Sequence, residues 1–313
     1  MLTQSLADPR SWSSATIDPP AAWYYRLSSR FFAVPNTAAG SKDQGPRPIT
    51  DARLSEPQLE VCRQELAPIA AALEYGRGFA IVTGALPTEA PPLAQTLAYW
   101  LLGQGLGVPM PQNVQGTLLY DVSDTGQDVA YGARFSVTSA ESSFHTDNSF
   151  GDAVVDYVGL LCLRGAQSGG LSQLVSGWTV YQELLAAHPD LVDELSRPFH
   201  FDRRGGVRPG ETATAEFPVV RKSGQQLLYR YLRYWIETGH QKGGIALTPA
   251  QRRALDVLEA WLARPELRVE FTLKPGEVLF VNNRWILHNR TAFEDYPEPE
   301  RKRHYVRLWL MGE

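Results

Sequence analysis

In the stretch SSFHTDNSF (142–150), His145 and Asp147 stand two residues apart between Phe144 and Phe150. On an extended strand, residues i and i+2 project to one face. His145 and Asp147 would then point together while Thr146 points away. A histidine and a carboxylate on one face supply two ligands of a facial triad. With a second histidine they form the two-histidine, one-carboxylate set, with open positions, that suits a non-haem Fe(II) oxygenase. The candidate third ligand is His288, in LKPGEVLFVNNRWILHNRTAF, after the tight turn at Pro275-Gly276. A competing pair has the same spacing: His200 and Asp202 in RPFHFDRRG. There Arg203 and Arg204 follow directly and can neutralise Asp202, so the pair reads as structural.

Fifteen positions after His288 begins RHYVRLWL, which alternates. Arg303, Tyr305, Arg307 and Trp309 share one face; His304, Val306, Leu308 and Leu310 share the other. Both faces are largely apolar, so the strand is expected to be buried. A buried guanidinium needs an anionic partner, because an unpaired buried charge is costly. No acidic residue at matching register is evident in another strand. A dicarboxylic cosubstrate gripped by the guanidinium fork would serve. Asn148, Glu141, Arg233 and Arg307 are candidate substrate contacts. Asn282 and Asn283 are expected to shape the turn before His288. His188, His240 and His304 read as structural or solvated, and Cys162 as a core residue. Tyr229–Gly239 reads as a half-buried strand or a pocket wall.

These groups need a rigid frame. Ser55 can cap a helix over 56–76 that Pro68 would kink or split. FAIVTG (79–84) reads as a buried strand and LAQTLAYWLLGQGLG as a helical run. Short strand-prone pieces follow: GTLLYDV, ARFSVTS and VVDYVGLLCLRG. TVYQELLAAHPDLVDELS reads as a helix, and so does TPAQRRALDVLEAWLARP, with Thr248 as cap. RVEFTLKPGEVLFVNN reads as two strands joined at Pro275-Gly276. This pattern points to a mainly β protein with helical decoration, a jelly-roll barrel. No dinucleotide or P-loop glycine pattern follows a strand.

The chain has 313 residues and a formal net charge of −4, which gives no global pull toward nucleic acid or anionic membrane. Two cysteines, Cys62 and Cys162, cannot build a disulfide framework. The first twenty residues are too polar for a secretory signal, and no apolar run is long enough to cross a bilayer. A cytoplasmic protein is expected. Residues 1–50 form an N-terminal extension rich in Pro, Ser and Ala, ending in the linker-like AAGSKDQGPRP. Its aromatics, Trp12, Trp23, Tyr24, Tyr25, Phe31 and Phe32, imply that it packs on the single domain formed by 51–313.

His145-x-Asp147, then SGGLS (168–172), His288 and Arg303-x-x-x-Arg307 occur in the order seen in taurine dioxygenase-like (TauD/TfdA-type) Fe(II)/2-oxoglutarate-dependent oxygenases. The chain resembles that family from GFAIVTG (78–84) to its end. The resemblance implies a double-stranded β-helix, with His145, Asp147 and His288 as iron ligands. Arg303 would pair with the distal carboxylate of 2-oxoglutarate. Ser172 stands where the family often has a threonine; it keeps the hydroxyl. Arg307 matches a position that meets substrate acid groups or the cosubstrate. His200 lies in the wrong place in this order. The implied reaction consumes O2 and 2-oxoglutarate and yields succinate and CO2. Hydroxylation is the default outcome, with desaturation and ring closure open. The implied substrate is small and polar: an acid, an amino acid or a betaine. Two other readings stand beside this one: a 2-oxoglutarate-independent metallo-cupin, and a jelly-roll binding module with a degenerate metal site.

Overall fold

A computed structural model describes residues 8–27, 48–84, 90–127, 137–204, 207 and 210–312. Phe31, Phe32, all of AAGSKDQGPRP but its last residue, Pro48, and most of ARFSVTS lie outside the described residues; the last three residues of ARFSVTS, 137–139, are not strand. The strands in chain order are β1 (Tyr24–Arg26), β2 (Phe79–Thr83), β3 (Val108–Met110), β4 (Leu119–Val122) and β5 (Tyr157–Arg164). Then come β6 (Ser168–Gly169), β7 (Ser172–Ser176), β8 (Pro198–Asp202), β9 (Thr214–Pro218), β10 (Val220–Ser223) and β11 (Gln226–Tyr229). The last five are β12 (Arg268–Phe271), β13 (Val278–Asn282), β14 (Ile286–Arg290), β15 (Phe293–Glu294) and β16 (His304–Met311). The helices are α1 (Glu56–Glu74), α2 (Pro92–Gln104), α3 (Gly177–Ala187), α4 (Pro189–Leu195), α5 (Arg233–Gly243) and α6 (Pro249–Leu262).

The main sheet runs β1-β2-β13-β5-β16-β3, with β4 also on β16; the smaller one runs β12-β7-β14. Between them lies the cavity that carries the site. The main sheet is covered on both faces, which is why its strands are nearly unbroken apolar runs. Phe79, Ile81, Leu279, Val281, Tyr305 and Trp309 join the inner core. Ala80, Val82, Val278, Phe280, Val306, Leu308 and Leu310 join a second core beneath α1 and α2. The alternation read along RHYVRLWL is thus a division between two cores. Cys162 is buried in the first and Cys62 in the second. Burial pushes both thiols up, to about 11 and about 12.

Two of the N-terminal aromatics, Trp12 and Trp23, pack on this frame. Trp12 and Trp23 are buried and meet Phe79 edge-on at 5.9 and 5.4 Å. The Trp12 indole donates to the Arg77 carbonyl, and Ser176 and Thr179 donate to the carbonyls of Arg10 and Trp12. No helix among the described residues is long and apolar enough to cross a membrane.

Several local expectations need correction. Pro68 does not split α1, which runs through it from Glu56 to Glu74. Pro68 and Gln64, whose carbonyl loses its helical donor, both face solvent. The TVYQELLAAHPDLVDELS helix breaks at His188 (φ −146°, ψ 65°), because a residue before proline is pushed out of the helical region. β12 and β13 are two strands joined at Pro275-Gly276, as expected, and they lie in different sheets, β12 on β7 and β13 on β2 and β5. The connection crosses between sheets, and Gly276, at φ +82°, makes the turn. Tyr229–Gly239 is not a strand: β11 ends at Tyr229 and α5 begins at Arg233. The buried residues Trp235, Ile236, Gly239 and His240 follow helical spacing.

Candidate active site

β14 presents His288 at the rim of the smaller sheet. The segment before β5 runs antiparallel to it for one residue pair: His145 and His288 exchange backbone hydrogen bonds of 3.0 and 2.9 Å. This is a single bridge and not a strand, so the two-residue periodicity does not by itself aim Asp147. A turn at 147–150 does, with Asn148 at φ +54°. Its anchors are distant in sequence. Asn283 accepts the Asp147 N–H (2.7 Å) and donates to the carbonyls of Asp147 (3.1 Å) and Val155 (2.9 Å). The Thr146 hydroxyl donates to the Tyr229 carbonyl and accepts the Tyr231 N–H, each at 3.1 Å. Asn283 therefore does more than shape a turn; it clamps the segment carrying two candidate ligands.

His145, Asp147 and His288 each offer a ligand atom, all within 4.8 Å of one another. His145 Nε2 lies 3.8 Å from Asp147 Oδ1. Donors about 2.1 Å from one ion stand at most about 4.2 Å apart, so this pair fits one metal. His145 Nδ1 lies 2.8 Å from the Ser143 carbonyl, to which it donates in the tautomer that leaves Nε2 open. The two rings are 4.4 Å apart. Burial pushes both imidazoles down, His288 to about 3, and His145 further disfavours a proton on His288. Both are thus neutral near pH 7, the state a metal requires. Burial alone would raise the Asp147 carboxyl. Arg307 (3.2 Å), the largest influence in the other direction, and the Trp309 indole N–H (2.9 Å) favour the ionised form, and the carboxyl is held below its usual range.

Arg307 therefore has an acidic partner, contrary to the expectation drawn for both strand arginines. It also donates to Gln112 Oε1 at 2.8 Å. Arg303 differs. It is 4% exposed, and its Nε and Nη1 have no hydrogen-bond partner. Its guanidinium lies 3.9 Å from the Tyr305 ring and 5.1 Å from that of Phe293. Burial lowers its affinity for its proton. A guanidinium held dry with unmet donors is a prepared anion site. Ser172, at the start of β7, lines the same cavity of about 160 Å³.

Of the candidate substrate contacts, Asn148 and Arg307 line the cavity, and Glu141 and Arg233 do not. Glu141 is exposed, with Asn289 3.4 Å away. Arg233 is held by Glu237, Asp256 and Glu259 at 2.6–2.8 Å, tying α5 to α6. Leu232 and Trp235, from the run read as a pocket wall, also line it, as do three residues for which sequence reasoning gave no cavity role: Gln112, Arg204 and Arg290. Of these three only Arg290 had a signal, since it follows His288 by two positions on a strand.

His200 stands apart, edge-on to His240 at 5.0 Å and 3.8 Å from Glu216. Asp202 is neutralised chiefly by Lys242 Nζ at 2.9 Å, with the Arg204 backbone N–H also at 2.9 Å; Arg203 pairs with Asp152 instead. His240 is buried in the last turn of α5, and not in a loop. His304 points away from the cavity to Asp121, 2.6 Å off.

The family model for taurine catabolism dioxygenase TauD, TfdA family, matches residues 43–309. The chain belongs to the TauD/TfdA family. It is an Fe(II)/2-oxoglutarate-dependent dioxygenase. It is 28% identical over 305 residues to FR-33289 synthase of Streptomyces rubellomurinus, across 96% of this chain and 88% of that protein. The fold matches asparagine oxygenase in complex with Fe(II), 3-hydroxyasparagine and succinate. The TM-score there is 0.67 at 20% identity, covering 92% of this chain and 93% of that one. It also matches the non-haem iron oxygenase OrfP in complex with Fe and α-ketoglutaric acid, with a TM-score of 0.65 at 17% identity, covering 93% and 94%. These two likenesses carry the jelly-roll fold.

Proposed function

We propose that His145, Asp147 and His288 hold one Fe(II), that Arg303 and Ser172 receive the distal carboxylate of 2-oxoglutarate, and that the enzyme hydroxylates a C–H bond of a small amino-acid-like substrate. The observation that carries this reading is the pairing, in one cavity, of the triad with a buried arginine whose Nε and Nη1 are unmet. A metallo-cupin without a dicarboxylate cosubstrate would have no use for that arginine.

Bound Fe(II) with 2-oxoglutarate supplies the O2-dependent oxidation, with succinate and CO2 as coproducts. The chain's own residues set its conditions. Ser143 fixes the His145 tautomer. Arg307 and Trp309 keep Asp147 ionised and aimed. Val122, Leu160, Leu174 and Leu279 line the cavity and limit water. Away from the strand arginines the lining includes Asn148, Phe150, Leu232, Trp235 and Arg204, whose guanidinium lies 3.7 Å over the Trp235 ring. A cation on an aromatic wall suits a substrate bearing a carboxylate. The amino-acid class is further supported by the hydroxyasparagine in the asparagine oxygenase structure.

The test is anaerobic. Fe(II) followed by 2-oxoglutarate should produce a weak visible metal-to-ligand charge-transfer band. Succinate release with a panel of free amino acids should then identify substrates. Iron binding with no band on adding 2-oxoglutarate would favour the metallo-cupin, and no iron binding would favour the degenerate module.

A further inference from the structure

Two arginines, the buried Arg303 and the half-buried Arg290, converge where the cosubstrate's far end would lie. Arg290 follows His288 by two residues on β14, so both side chains leave the same face. Across the ladder Arg290 is the direct partner of Ser172, as His288 is of Leu174. Directly opposed residues share a face, which puts Arg290 beside the Ser172 hydroxyl. The guanidiniums of Arg290 and Arg303 lie 4.6 and 5.1 Å from one ring, that of Phe293. The SGGLS segment closes the other side: a Cβ at Gly170 would stand 3.7 Å from Arg303 Nε.

Among the described residues neither arginine has a carboxylate within ion-pair distance. Asp295 accepts the backbone N–H of Arg303, at 2.7 Å. Arg290 spends Nη1 and Nη2 on the carbonyls of Thr138 and Ala140, while its buried Nε has no partner. The two cations thus flank one ring and between them hold three buried, unmet nitrogens: Arg290 Nε, Arg303 Nε and Arg303 Nη1. Like charges so placed are costly unless an anion joins them. An ionised carboxylate offers about four lone-pair sites. Three nitrogens and the Ser172 hydroxyl match that number.

We propose that Arg290 is a second cationic partner of the distal carboxylate of 2-oxoglutarate, acting with Arg303 and Ser172; this rests on the cosubstrate reading above. A role limited to holding the 138–140 carbonyls would not explain the buried, unmet Nε.

The experiment compares two oxoacids by anaerobic titration of the visible band in the Fe(II)-loaded enzyme. 2-Oxoglutarate has the distal carboxylate; 2-oxobutyrate keeps the keto acid and lacks it. In Arg290→Gln the dissociation constant for 2-oxoglutarate should rise by about tenfold or more, the scale of a lost charge-assisted contact. That for 2-oxobutyrate should stay within about twofold on the same argument. Arg290→Lys, which keeps the charge without the fork, should fall between. Unchanged 2-oxoglutarate binding in Arg290→Gln overturns the proposal. So does equal weakening of both oxoacids, which would mean that Arg290 acts by supporting the strand of His288. A wild-type enzyme that binds both oxoacids equally well would instead overturn the cosubstrate reading, and this inference with it.

Discussion

Replacing Asn283 by alanine should damage both the fold and the metal site, although Asn283 touches no candidate ligand atom. Asn283 is 1% exposed, and its side chain makes three hydrogen bonds to backbone, two of them to Asp147. A net contribution of about 1 kcal/mol per bond gives a loss of about 3 kcal/mol, because one buried N–H and two buried carbonyls are left unmet. Losing the clamp on a ligand-bearing segment should also cost about 10- to 100-fold in Fe(II) affinity, as removal of a supporting partner around a metal usually does. Asn283→Asp should be no better than alanine. It keeps the acceptor for the Asp147 N–H, but sets an oxygen against two carbonyls and adds charge beside Asp147. The assays are urea unfolding of the metal-free protein and anaerobic Fe(II) titration. A stability loss below about 1 kcal/mol with unchanged iron affinity would refute the argument that this asparagine positions Asp147.

Four further outcomes are expected. Alanine at His145, Asp147 or His288 should abolish or greatly weaken Fe(II) binding, whereas His200→Ala should leave it intact; iron loss confined to His200→Ala would reverse the assignment. Arg303→Ala should cost about 2–5 kcal/mol in 2-oxoglutarate binding, a rise of about 30-fold or more in the dissociation constant by anaerobic titration. Arg307→Ala, which strips Asp147 of its cation, should weaken Fe(II) retention against a chelator more than 2-oxoglutarate binding; the opposite order would exchange the two roles. Trp12→Ala should destabilise the protein by about 3–5 kcal/mol in denaturant unfolding, because the ring is buried on Phe79 and its N–H holds the Arg77 carbonyl; a change near zero would show that the N-terminal segment adds no stability.

What the sequence alone determined here was local and periodic. Alternation in RHYVRLWL identified the two faces of β16, and cap and turn residues located α1, α6 and the turn at Gly276, because backbone preferences over a few residues set these features. The order of His145, Asp147, His288 and Arg303, read beside the family's, named the candidate ligands and the candidate cosubstrate arginine, residue types that suit iron and a dicarboxylate. Tertiary structure alone decided which groups meet. His145 lies on a single bridge, and its neighbour Asp147 is aimed by Asn283, 136 residues away. Arg307 finds its acid in Asp147, 160 residues earlier, and so differs from Arg303 four positions back. Arg233 belongs to an ion-pair cluster between helices and not to the cavity. Partner choice among buried polar groups depends on sheet register and on which loops cross the barrel mouth, and such contacts leave no periodic trace along the chain.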